Sequence, residues 1–293
     1  MVLNLAKLKA NFQNNTTCRL INPTRSNIGK ISKCIIDRIN NSVVDQRSLN
    51  QWKSTKAVLQ WFSTFDTSNN YVFIVFDVVD FYPSITCELL SSALDFASRY
   101  DSISDEERNI IMHSRKSLLV CKNTYWGKKN QEDLFDVTMG SNDGAEVCEL
   151  VGSYLLHQIY HKFGSNFGLY RDDGLGITSS CPRHVERVKK GICELFKKNG
   201  LKIIIEANKK VINYLDVTLN LNSGKYMPYM KPNNTPLYVN KNSNHPPAII
   251  KNIPLSINRR LSDISSDKET FDKHTNLYQK ALDECGYQHK LEY

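Results

Sequence analysis

Three aspartates are spaced so that they could do chemistry together. Asp77 closes an apolar run in FIVFDVVDFYPS, and Asp172 and Asp173 stand side by side in YRDDG. A carboxylate directly after a strand that is apolar on both faces must be stabilised, because burying a lone charge is expensive or forces protonation. FGLYRDDGLGITSS reads as two short strands joined at an Asp-Asp-Gly turn. If the two strands are neighbours, the three carboxylates converge at one end of a sheet, where they repel and a divalent cation resolves the repulsion. Hard oxygen ligands suit Mg²⁺, which keeps waters and substrate phosphates in its shell. Each motif alone has an ordinary reading. Asp-Asp-Gly is most often a plain hairpin turn, and Asp77 could be a strand-end cap or a salt-bridge partner. Their combination, with a glycine turn and a helix between them, is much rarer by chance.

The elements that must position these residues can be read from pattern. YVFIVFDVVDFYPS has apolar residues on both parities, as in a central strand buried on both faces, and Pro83 ends it. CRLINP, from Cys18, reads as a strand leading into a turn. GKISKCIIDRINNSV carries Ile31, Ile35 and Ile39 at helical spacing, and SITCELLSSALDFASRY carries Leu90, Ala93, Leu94 and Ala97 on one helical face. SDEERNIIMHSRKSLLV opens on a capping box, Ser104 with Glu107. In MGSNDGAEVCELVGSYLLHQIYHKF a glycine turn precedes a helix. A further helix from Arg183 ends at Asn199-Gly200. LKIIIEAN is a strand, and VINYLDVTLNLNSG one or two more. After about Lys225 the chain turns Pro- and Asn-rich. Two short helices are then expected around IIKN and LSINRRLSDI, separated by Pro254, and a longer one from Asp267 to about Cys285. The order of elements predicts an α+β fold, an antiparallel sheet backed by helices, with a basic helical tail and a subdomain boundary near Gly224.

Composition narrows the class. The chain has 293 residues, 41% hydrophobic and 23% charged, with 13 Gly and 9 Pro, which argues against collagenous, coiled-coil or wholly disordered chains. The longest apolar run, about Tyr71 to Phe76, is far shorter than the roughly 18 residues that span a bilayer. MVLNLAKLKANFQNN has no continuous apolar stretch of the kind that directs secretion. The eight cysteines are scattered without a C-x-x-C pair, so an intracellular, reducing compartment is the natural reading. Lys and Arg number 38 against 30 Asp and Glu, a net +8 that suits a polyanionic partner without requiring one.

FDVVDFYPSI, MGSNDGAE and YRDDG, in that order, resemble the three palm motifs of reverse transcriptases. Upstream, RLINPTRS resembles the fingers strand whose arginine clamps the incoming triphosphate. Downstream, NYLDVTLNL resembles the primer grip, and KPNNTPLYVNKNSNHPPAIIKNIPLSINRRLSDI the block that follows the palm in Penelope-like retroelements. The resemblance covers about Cys18 to Asp263. It implies a right-hand polymerase architecture: partial fingers over 1–70, a palm over 71–224 with fingers-like helices inserted near 88–120, and a thumb-like basic helical tail over 225–293. Only 76 residues precede Asp77, so the fingers look short, as in a fragment of a longer element protein.

The same resemblance implies residue roles. Asp77 and Asp172 would hold two Mg²⁺ ions (Mn²⁺ in their place is the variant), with Asp173 a weaker third carboxylate. Tyr82 matches the steric gate that excludes a 2′-hydroxyl, making the substrate a dNTP. The backbone amides of Val79, Asp80 and Phe81 would cradle the triphosphate. Arg19 matches the fingers arginine, whose fork meets phosphate oxygens bidentately, and Arg25 is a second candidate of that kind. Gly140 matches the glycine where the middle motif approaches the nascent base pair. Met139 stands where many reverse transcriptases have Gln, and NDGAE replaces a frequent Ser-Pro pair. Lys209 or Lys210 falls where a lysine can protonate leaving pyrophosphate. Each of these residues also has a bland reading, as core aromatic, solvated strand-flank charge or basic turn. Arg183 to Lys210 holds nine Lys or Arg against three Glu, and with Lys251, Arg259 and Arg260 these charges could line a duplex channel, binding phosphates without sequence preference. The implied partners are an RNA template, a DNA primer and dNTPs, with no membrane. Nuclear residence suits such an element, although no basic localisation run marks it. Two rivals stand beside this reading: an RNA-directed RNA polymerase, against which Tyr82 argues, and a decayed or domesticated palm that only binds nucleic acid.

Overall fold

The computed structural model describes residues 2–5, 18–21, 26–116, 119–121, 124–126 and 135–293. The elements run β1 (Val2–Leu5), β2 (Cys18–Ile21), α1 (Asn27–Arg47), α2 (Thr55–Phe62), β3 (Tyr71–Val78), α3 (Phe81–Ser84), α4 (Cys87–Ala97) and α5 (Asp105–His113). There follow β4 (Leu119–Cys121), β5 (Thr124–Trp126), α6 (Gly144–Phe163), β6 (Phe167–Tyr170), β7 (Asp173–Ser179), α7 (Pro182–Lys198) and β8 (Ile203–Lys209). The chain closes with β9 (Val211–Tyr214), β10 (Val217–Asn220), β11 (Tyr226–Pro228), α8 (Pro247–Asp263) and α9 (Lys268–Glu284). This is the α+β fold with an antiparallel sheet that the pattern predicts. Among the described residues no helix is long and apolar enough to cross a membrane.

The chain forms two compact units. The first comprises 1–51, 74–176 and 183–206, and the second 52–73, 177–182 and 207–293. The central sheet has four strands in the order β6-β7-β3-β8. In the first unit, β3 turns Ile74, Phe76 and Val78 to one face, all buried, while Val75 is half-buried and Asp77 exposed on the other. Phe76 meets Phe196 of α7, ring centroids 5.3 Å apart. Behind the sheet lies α6, whose Val147, Cys148, Leu150, Val151, Leu155, Leu156 and Ile159 are all buried, with α1 and α4 packed on it. Ser26 caps α1 by accepting from the Gly29 amide at 3.1 Å, and the Ser104–Glu107 capping box starts α5 as read from sequence. That helix ends at His113, earlier than the apolar run after it suggests, because Leu119–Cys121 goes into β4.

In the second unit, β9, β10 and β11 form an antiparallel sheet of three strands. The tail helices close their own core of Leu261, Phe271, Leu282, Tyr287 and Leu291. One expectation fails here. Pro254 does not separate two helices; α8 runs through it from Pro247 to Asp263. A proline inside a helix costs about 3 kcal/mol, and the burial of Pro254 together with the packing of Ile250, Ile253 and Ile257 on that core offsets the cost.

Candidate active site

The Val78 amide donates to the Asp172 carbonyl at 3.0 Å. Phe76 lies across from Gly174, where any Cβ would run into its ring. Both observations fit one antiparallel register, which puts Asp77 of β3 directly opposite Asp173 of β7. The pair falls between hydrogen-bonded rungs, where facing Cβ atoms are about 4.5–5.5 Å apart. Like charges so placed destabilise a ladder. Asp172 sits one residue earlier, in the turn between β6 and β7, which pair Tyr170 with Asp173.

The sequence motifs thus meet at one sheet end, but in a different way from the expected one. Asp77 lies within β3, not after it, and it is exposed. Burial of its charge is therefore not what marks Asp77; the facing carboxylate is. Among the described residues no group of three or more His, Cys, Asp and Glu side chains is arranged to hold a metal ion. The opposed oxygen donors, with Asp172 adjacent, have the hard chemistry that suits hydrated Mg²⁺.

Two residues beside the carboxylates have left-handed backbones that side chains seldom adopt. Arg171 has φ 56° at the hairpin tip, and Asp80 has φ 49° ahead of α3. The Asp80 turn is tied down by Ser84, whose amide donates to the Asp80 carbonyl at 3.0 Å and whose hydroxyl donates to the Val79 carbonyl at 3.3 Å. The expected amide cradle is corrected at one position. The Val79 amide donates to the carbonyl of Lys202, the residue before β8, at 2.9 Å, so it is engaged there and only Asp80 and Phe81 remain for that role. Phe81 itself is buried.

Tyr82 is half-buried against the start of α6, its ring 3.6 Å from where a Cβ on Gly144 would stand. Its hydroxyl lies beside the Cys148 thiol, one helical turn further on. Burial pushes the Tyr82 hydroxyl up to about 12, reinforced by Cys148 and Asp172 and opposed by Arg171. Burial likewise pushes the Cys148 thiol up, with Asp172 adding to it. Tyr82, Cys148 and the Asp172 turn therefore share one electrostatic neighbourhood. Gly140 is exposed with φ 84°, in the loop that leads into α6.

Other expected residues fall elsewhere. Arg19 lies in β2 opposite Asn4, its side chain outside the described residues, as is the whole of Arg25. Lys210 donates to Asn70 Oδ1 at 2.8 Å and to the Tyr71 carbonyl at 2.6 Å, a latch on the start of β3, while Asp77 stands near its end. Lys210 is thereby engaged in holding that strand. Lys209 is exposed at the end of β8.

The sequence reading missed a buried ion pair. Arg115 and Asp143, each 1% exposed at the side chain, are bonded to one another. Ser114 donates to Asp143 Oδ2 at 2.8 Å, and its hydroxyl oxygen lies 3.2 Å from Ser32 Oγ. Asp143 is the residue just before α6, so this pair fixes the loop carrying Gly140. No local signal marks it, because the partners are 28 residues apart.

The chain is similar in structure to a telomerase from Candida albicans in complex with a fragment of telomeric RNA, at 12% identity and TM-score 0.60, over 88% of this chain and 46% of that one. It is also similar to the RNA-dependent RNA polymerase of a human picobirnavirus, at 13% identity and TM-score 0.55, over 95% and 59%. The fold is that of a nucleic-acid polymerase. An apo telomerase from Candida tropicalis shares this polymerase fold at 14% identity and TM-score 0.53, over 88% and 48%. The chain thus spans roughly half the length of these structures. Residues 237–291, which carry α8 and α9, match the animal helix-turn-helix domain. No curated protein matches the sequence.

Proposed function

We propose that the chain is the RNA-directed DNA polymerase region of a retroelement, adding dNTPs to a primer 3′-hydroxyl on an RNA template. The observation that carries this is the register that sets Asp77 opposite Asp173 at the YRDDG turn. Asp77, Asp172 and Asp173 would hold two Mg²⁺ ions, which supply charge stabilisation to the attacking 3′-oxygen and the leaving pyrophosphate. In this reading Tyr82, braced by Cys148 and Gly144, bounds the sugar and excludes a 2′-hydroxyl. The amides of Asp80 and Phe81 bind the triphosphate, and Arg19 and Arg25 neutralise it. The segments 1–70, 71–224 and 225–293 serve as partial fingers, palm and thumb, with duplex phosphates held by the basic residues of α7. A nuclear site of action agrees with this role.

Primer extension on poly(rA)/oligo(dT) with Mg²⁺, beside Asp172→Ala, tests the reading. Extension by the parent protein and none by the variant is the expected result. Duplex binding without extension in the parent would favour a palm that only binds nucleic acid. The likeness to a viral RNA-dependent RNA polymerase supports a second reading, in which ribonucleotides are the substrate. Tyr82→Ala separates the two: it should admit ribonucleotides, and unchanged dNTP selectivity would remove the steric gate.

A further inference from the structure

Arg115 holds one stretch of chain at both ends. Its carbonyl accepts from the Asp136 amide at 2.8 Å, beside the bridge that pairs Lys116 with Phe135. Its guanidinium binds the Asp143 carboxylate, and Nε and Nη2 also donate to Ser114 Oγ at 3.2 Å and 3.0 Å. Between these anchors the chain is tied into an arch. The Ser141 hydroxyl and amide both donate to the Thr138 carbonyl, at 2.9 Å and 3.4 Å. The Asn142 side-chain amide donates to the Ser26 carbonyl at 3.0 Å. Gly140 is the one exposed residue from Phe135 to Gly144, with half-buried Met139 beside it. The anchored segment therefore presents a single crest.

The same anchors bear on Tyr82. Gly144 follows Asp143, and a Cβ there would stand 2.8 Å from the Thr138 carbonyl oxygen and 3.6 Å from the Tyr82 ring. A shift at Asp143 thus moves the surface on which that ring rests. The charge of Arg115 also reaches the Cys148 thiol on the far side of Tyr82's contact with α6.

Stability alone does not account for an arginine at this position. Its Nη1 is enclosed without a hydrogen-bond partner among the described residues, which is a cost in itself. Apolar residues of similar volume often replace a buried ion pair with no loss of stability. What they cannot supply is direction, because a forked donor fixes the angle of its carboxylate as well as the distance.

We propose that Arg115 is a positioning residue for nucleotide selection, holding the Met139–Gly140 crest and the Tyr82 ring at the spacing that admits a correctly paired dNTP. This rests on the polymerase reading above and adds to it a residue outside the three motifs that touches no substrate.

The test sets the parent protein beside the double replacement Arg115→Met with Asp143→Leu, and beside Arg115→Lys and Ser114→Ala. Denaturant unfolding reports stability. Steady-state extension of a DNA primer on an RNA template gives kcat and KM for paired dNTP, mismatched dNTP and the matching rNTP. The double replacement should unfold near the parent's midpoint, yet raise KM for the paired dNTP about tenfold and lower both preferences by a similar factor. Ser114→Ala keeps both charges and should raise that KM roughly threefold with kcat unaltered. Arg115→Lys, which keeps the charge without the fork, should fall between the parent and the double replacement. A merely structural arginine would let activity follow stability. A double replacement as stable as the parent, with parental KM and selectivity, therefore overturns the proposal. If the double replacement does not fold, parental KM and selectivity in Ser114→Ala overturn it equally. A parent that extends no primer fails at an earlier step, removing the polymerase reading and the selection role together.

Discussion

The aspartates at the sheet end of the first unit are set differently from two aspartates of the second. In the second unit Asp216 accepts from Arg260 at 2.7 Å and 3.1 Å and from the Thr55 hydroxyl. Asp267 accepts from the Thr270 amide at 2.8 Å, capping α9, and pairs with Lys225 at 2.9 Å. Each of these carboxylates faces a donor that favours its charge. In the first unit Asp77 faces Asp173 across the ladder, with a strained arginine at the turn beside them. These acidic residues of the second unit are bound to donors of the fold. Those opposed across β3 and β7 set two carboxylates side by side, an arrangement that suits a positively charged ligand.

Replacing a site aspartate breaks this contrast most strongly. Asp77→Asn should reduce primer extension by about 10³-fold or more, since a metal-held charge supplies several kcal/mol to such reactions. Extension measured beside thermal unfolding checks this, the unfolding curve showing that the variant is folded, and extension at the parent's rate would remove Asp77 from the metal site. Asp172→Asn and Asp173→Asn, assayed beside it, rank the two neighbours. The family pattern expects the larger loss at Asp172, whereas simple facing geometry expects it at Asp173.

The buried pair of the first unit is the second largest effect. Asp143→Asn leaves Arg115 charged and enclosed, and breaking a buried ion pair costs about 3–5 kcal/mol. Denaturant unfolding should show that loss. The paired replacement Arg115→Met with Asp143→Leu should recover most of it, since the cost lies in the stranded charge. Here an aspartate of the first unit behaves as those of the second do, which narrows the contrast to the sheet end itself.

Cys148 sharpens the comparison further. Cys148→Val keeps the volume but removes the polar group beside the Tyr82 hydroxyl, whereas Cys148→Ser keeps one. A fall of about 3- to 10-fold in dNTP over rNTP selectivity for the valine variant, restored by serine, is the expected result. Equal selectivity in all three proteins would mean that packing on Gly144 alone orients the ring.

How far all this could be read in advance follows from what each residue depends on. The strand YVFIVFDV, the Ser104 capping box and the hairpin at Asp172 are set by neighbours a few residues away, and all three stand where the pattern puts them. The meeting of β3 with β7 was legible because a both-faced apolar strand has to be central. The exposure of Asp77 was not, since the pattern shows which residues are apolar but not which end of the sheet is left uncovered. Helix α8 through Pro254 depends on a tertiary core that outweighs local propensity. The engagement of the Val79 amide with Lys202, and of Arg115 with Asp143, depends on partners distant in the chain. These contacts leave no local mark.

The smallest effects come from the compensated aspartates. Arg260 is 69% exposed where it meets Asp216, so Arg260→Ala should cost only about 0.5 kcal/mol, near the limit of an unfolding measurement. Asp267 gives a cleaner signature in pH. Its hydrogen bonds to Lys225 and to the Thr270 backbone hold its carboxyl well below the usual carboxylate range. A folded value below the unfolded one means that its contribution is complete above about pH 4, the unfolded value, and is lost as pH falls towards the folded one. The Tm gap between the parent and Asp267→Ala should therefore be constant from neutral pH to about pH 5 and shrink steadily below pH 4. A gap that stays unchanged down to pH 2 would mean that Asp267 acts through packing, and its difference in kind from the facing aspartates of β3 and β7 would disappear.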